Sequence, residues 1–186
     1  MSAHGFEVPG AGPKPAPVPD NALIAALDKL LAGINKIIVV CASIALIVAS
    51  VILSYSVIVR SLFLSPTYWQ DEAAVFLLVG ATFLTAAYVQ SQRGHVGIEA
   101  LVGFLSPKAN RIRLLFVDLA TFLFCAFFSW KSWTLCHEAF VDGQVSSSTW
   151  APPLWIPYFL MAAGMTLLCA QVLVQIAVAL VGEKRP

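Results

Sequence analysis

Residues 37–59 read IIVVCASIALIVASVILSYSVIV, and no charge interrupts them until Arg60. As a helix this stretch is about 35 Å long, enough to cross a hydrocarbon core of about 30 Å. Three further windows qualify as spans. Residues 73–89 are bounded by Asp71-Glu72 and Arg93, residues 114–133 contain Asp118 and Lys131, and residues 156–181 are opened by Pro157 and closed by Gly182. The expected fold is therefore an all-α membrane protein with four transmembrane helices, and no internal repeat is evident among them.

Composition agrees. Of 186 residues, 59% are hydrophobic and 11% are charged, against about 25% charged in an ordinary soluble domain. Mean hydropathy is +0.84. Too little charge remains to cover a water-facing surface, which argues against a soluble enzyme and a secreted disulfide scaffold. A net charge of +1 offers nucleic acid no electrostatic footprint. The expected surroundings are lipid.

Outside the spans, residues 1–19 carry Pro9, Pro13, Pro15, Pro17 and Pro19 and read as a disordered tail. Residues 20–33 open on Asp20-Asn21, a good N-cap. Leu23, Leu27, Leu30, Leu31 and Ile34 then make one apolar stripe, with Asp28, Lys29 and Asn35 mostly off it. An amphipathic helix lying on the bilayer surface is the preferred reading, and extension of the first span into water is the alternative. The membrane domain covers 34–181, and 182–186 form a short tail. Between the second and third spans, Gly94 is placed as a helix cap. Ile98, Leu101, Val102 and Leu105 form a stripe, and Ser106-Pro107 reads as N-cap and first helical residue.

Basic residues near span ends set orientation. Lys29, Lys36, Arg93, Lys108, Arg111, Arg113, Lys184 and Arg185 fall on one side, and Arg60 and Lys131 on the other. Both termini and the middle loop are expected in the cytoplasm. Trp69, Trp130, Trp133, Trp150 and Trp155 are all expected at the opposite, outer face, where an aromatic surface suits a docking protein.

Few constellations carry chemistry. His4, His95 and His137 lie in the tail and at opposite membrane faces, so they cannot share a haem iron. Cys41, Cys125, Cys136 and Cys169 are scattered, without the close spacing of a metal or dithiol centre. No cofactor is expected. Asp118 is the one carboxylate well inside a span, and Gln171 and Gln175 share a helix face at similar depth. A hydrogen-bonded clamp between helices is preferred to a proton relay. Ala163, Ala170 and Ala177, with Ala45 and Ala49, read as seams for close helix approach. Near the outer face, Arg60 is expected to pair with Asp71 or Glu72. No span shows the central polar cluster or broken helix of a substrate site.

Residues 69–101 read WQDEAAVFLLVGATFLTAAYVQSQRGHVGIEAL. This resembles the small membrane subunit of tripartite ATP-independent periplasmic (TRAP) transporters, the DctQ family. That family's pattern is Trp, an acidic pair, leucines, a T-F-L segment, small residues, Arg-Gly-His and a downstream acid. Trp69, Asp71, Glu72, Thr82, Phe83, Leu84, Arg93, Gly94, His95 and Glu99 fall on it in order. Ser146, Ser147 and Ser148, followed by Pro153, Trp155 and Pro157, form a second match. Gly80 stands where the family often has Trp, Thr85 where it often has Gly, and Glu99 replaces a common Asp. The resemblance spans about residues 34–180.

The resemblance implies a multi-pass protein of the bacterial inner membrane with two protein partners. One is a large multi-span permease subunit that carries substrate and sodium by an elevator-like movement. The other is a periplasmic solute-binding protein that delivers a substrate, commonly an organic acid. The small subunit widens the static scaffold and helps form the docking surface, without enzymatic activity. The runner-up reading is a four-span membrane redox or enzyme subunit.

Overall fold

In a bilayer the backbone finds no water, so the apolar runs satisfy their N–H and C=O groups within helices. The computed structural model describes residues 22–63, 67–92 and 107–181. They form α1 (Ala22–Phe63), α2 (Gln70–Ser91), α3 (Pro107–Val141) and α4 (Trp155–Val181). All four are long and apolar enough to cross a membrane. Among the described residues the extended structure amounts to one isolated bridge, Val145 with Pro153.

Helix α1 runs for 42 residues without interruption. Its length of about 63 Å is twice the hydrocarbon thickness. Residues 22–33 are thus continuous with the first span. Leu27 and Leu30 are exposed, whereas Leu31 and Asn35 are buried. Asn35 therefore faces the bundle rather than lying off the apolar stripe.

A seven-residue repeat explains how α1 packs. Asn35, Ala42, Ala49 and Ser56 are buried, and Ile38, Ala45, Ile52 and Val59 between them are half-buried. That is the seam of a left-handed helix pair, and the main partner is α2. α2 also packs on α4, and α4 on α3, while α1 meets α4 over a short stretch. α2 and α4 are the inner pair. The most apolar window of α4 is the most buried of the four, at 33%, and that of α1 the least, at 11%.

Close approach of α4 to α2 depends on a missing side chain. A Cβ at Gly164 would overlap the Phe83 carbonyl and stand 2.9 Å from the Leu84 nitrogen. Ala162, Met165 and Val172 of α4 are buried as well. The alanine repeat Ala163, Ala170 and Ala177 is only half-buried, so it flanks the tight seam rather than forming it.

Helix α3 is described from Pro107, with Ser106 outside the described residues, and continues past Trp133 to Val141. Gly143 ends it, with φ at 61°. The Gln144 N–H then donates to the Ala139 carbonyl at 3.0 Å. This is a Schellman stop, which needs a residue at ease in the left-handed region. Its consequence is that Trp130 and Trp133 lie within a helix, not at its end.

Candidate functional site

The end of the bundle carrying Trp69 is built from two polar networks. In the first, the Arg60 guanidinium donates from Nη2 to Asp71 Oδ2 at 3.0 Å, to Thr67 Oγ1 at 2.7 Å and to Ser56 Oγ at 3.3 Å. Ser56 Oγ donates to Thr67 Oγ1 at 3.1 Å. These bonds tie the end of α1 to the start of α2. Arg60 and Asp71 are 56% and 58% exposed, so the ion pair itself contributes only about 0–1 kcal/mol. The expected alternative partner, Glu72, is committed elsewhere.

Glu72 sits half-buried one residue further along α2. It accepts hydroxyl hydrogen bonds from Ser146 on Oε1 and from Ser148 on Oε2, the latter at 2.7 Å. Both serines belong to the connection between α3 and α4. Ser148 Oγ in turn accepts from the Ala151 N–H at 3.2 Å. Ala151 has φ of 47°, a left-handed conformation that costs a residue with a Cβ of order 1–3 kcal/mol. Two backbone bonds cross the base of the loop. Ser146 N–H donates to the Pro152 carbonyl and Leu154 N–H to the Gln144 carbonyl, each at 3.0 Å.

This held loop presents aromatic rings. Trp150 meets Trp69 edge-on with centroids 6.5 Å apart, and both rings are partly exposed. Trp155 meets Phe140 edge-on at 5.9 Å. Pro157, in the first turn of α4, is buried. The chemistry available here is recognition: apolar ring area, an adjacent ion pair and a braced backbone, all features of a protein contact surface.

Deeper polar groups join helices. The Gln90 amide donates to Gln175 Oε1 at 2.8 Å, and Gln175 Nε2 donates back to the Gln90 carbonyl at 2.9 Å. The Asn35 amide donates to Gln171 Oε1 at 3.2 Å, while Asn35 Oδ1 has no hydrogen-bond partner. Asp118 is buried at 5% exposure, away from lipid. Gln171 and Gln175, expected to face it, bond Asn35 and Gln90 instead, because α4 turns that face towards α1 and α2. Between α3 and α4, Trp133 Nε1 donates to Thr166 Oγ1 at 3.0 Å, and Ser129 Oγ lies 3.0 Å from the same atom. Trp133 is thus an interhelical contact, its ring still partly exposed.

Among the described residues no cluster of three or more His, Cys, Asp or Glu is placed to hold a metal. The matching family model is that of the tripartite ATP-independent periplasmic transporters, DctQ component, over residues 49–182. The chain belongs to the DctQ family. No curated relative matches it. As a DctQ component with four membrane-crossing helices, it is a multi-pass subunit of a bacterial inner-membrane transporter, working with a large permease and a binding protein rather than as an enzyme.

Several residues of the DctQ resemblance now have a physical role. The T-F-L segment supplies the α2 backbone on which Gly164 rests, and the Phe83 ring stacks on Phe128 at 6.4 Å. Gly80 faces the Leu160 side chain. The serines preceding α4 bind the second acid of the pair, a link between two motifs 74 residues apart that neither motif announces. Arg93, Gly94, His95 and Glu99 lie outside the described residues.

Proposed function

We propose that this DctQ-family chain is the small permease subunit of a sodium-coupled TRAP transporter for organic acids. It scaffolds the large elevator-type subunit and offers its Trp69 end to a periplasmic solute-binding protein. The observation that carries this reading is the braced aromatic surface of Trp69, Trp150 and Trp155. Networks at Arg60 and Glu72 hold it, where an isolated membrane bundle needs only a loop. Both termini face the cytoplasm in this reading, consistent with the basic asymmetry of the sequence. Residues 22–33, the start of α1, then lie at the cytoplasmic membrane surface.

The subunit supports transport without binding the carried acid. An organic acid at mid-membrane needs convergent cations or helix N-termini. The cations described within α1 and α3 are Arg60 and Lys131 towards the Trp69 end and Lys29, Lys36 and Arg113 towards the other. Affinity purification of the tagged chain from native membranes tests the assignment. It should recover a large multi-span permease and, with substrate present, the binding protein. Recovery of neither overturns it.

A further inference from the structure

The structure assigns Glu72 a task that deepens the docking reading and rests on it. We propose that Glu72 is the positioning residue of the docking surface. Its carboxylate keeps Ala151 in the left-handed conformation that sets Trp150 against Trp69.

The chain of contacts is short. Glu72 stands in the first turn of α2, so its position follows from a helix already packed on two neighbours. Ser146 and Ser148 approach it from the α3–α4 loop and each donates a hydroxyl proton to a different carboxylate oxygen. Ser148 has its lone pairs left to accept the Ala151 N–H at 3.2 Å. Ala151 is the one described non-glycine residue with positive φ, and it follows directly on Trp150. Such strain persists only where surrounding bonds over-determine it. Here they run from Glu72 through Ser148 to the strained residue. With the carboxylate gone, Ser148 is free to turn, Ala151 relaxes to negative φ, and the peptide carrying Trp150 rotates away from Trp69. Ser147, exposed between the two bonded serines, is outside this relay.

Two readouts on the full chain separate the clamp from its use. The first is amide hydrogen exchange of residues 145–154 in the purified protein. Glu72→Ala and Ser148→Ala should each speed exchange at Ala151 about tenfold or more, Glu72→Gln less, and Ser147→Ala not at all. Adding Ala151→Gly to Glu72→Ala should recover most of the protection, because glycine adopts the left-handed turn without the clamp. A generally loosened bundle would not be rescued this way. Unchanged exchange in Glu72→Ala, or failure of Ala151→Gly to rescue, overturns the proposal.

The second readout is uptake by vesicles holding this chain and the large subunit, titrated with binding protein. Glu72→Ala should raise the KM for binding protein several-fold with little change in kcat, and the double variant should restore it. Altered exchange with an unaltered KM overturns the docking reading while leaving the clamp in place.

Discussion

At Gly164 a single hydrogen in place of a methyl decides how closely two helices approach. A Cβ there meets backbone atoms of Phe83 and Leu84, which cannot swing aside as a side chain can. Overpacking costs about 1–3 kcal/mol, and rigid neighbours put Gly164→Ala at the upper end. The thermal midpoint of the purified variant should fall by several degrees, and Gly164→Val further. Gly80 provides the contrast. Its added Cβ would lie 3.0 Å from Leu160 Cδ1, the far end of a flexible side chain. Gly80→Ala should therefore move the midpoint little. Both are glycines in apolar helices by sequence, so the difference is invisible there. It depends on what stands opposite.

At the scale of the element, helix pairing rests on a few polar contacts set into apolar seams. Gln90 and Gln175 exchange two hydrogen bonds, and interhelical bonds in membranes average about 0.6 kcal/mol with a ceiling near 1.7 kcal/mol. The second of the two ends on the Gln90 backbone carbonyl and survives Gln90→Leu. A double-mutant cycle with Gln90→Leu and Gln175→Leu therefore reads the side-chain pair alone and should give a coupling of about 0.6 kcal/mol in detergent unfolding. Coupling indistinguishable from zero would mean that the side-chain pair adds nothing to the packing of α2 on α4. The spacing of Gln171 and Gln175 shows in the sequence that they share a face. Which helix that face meets is a matter of rotation about α4, and it meets Asn35 of α1 and Gln90 of α2. Likewise Trp133 reads as the end of its span, whereas the helix runs on to Val141 and the Schellman stop at Gly143. The signal was present: glycine after Asp142 is a C-cap candidate. The apolar window, by contrast, ends near Lys131.

For the whole molecule, topology follows from basic residues at the span ends. Reporter fusions after residue 105 and at the C-terminus should report cytoplasm, and a fusion near Gly143 the periplasm. A periplasmic C-terminus with residue 105 in the cytoplasm would rule out four spans. Calorimetry of the isolated chain with candidate organic acids should show no binding heat, because its described cations stand towards the span ends. The sequence by itself determined the four helices, their order and the family. Apolar run length and short motifs are local quantities, and a bilayer leaves such runs no alternative to helix. Only the tertiary structure decided that α2 and α4 form the inner pair, that Asn35 turns inward and that Glu72 binds two serines. Those facts depend on helix rotation and on approach between residues far apart in the chain. In lipid that approach is settled by close packing and hydrogen bonds rather than by hydrophobicity.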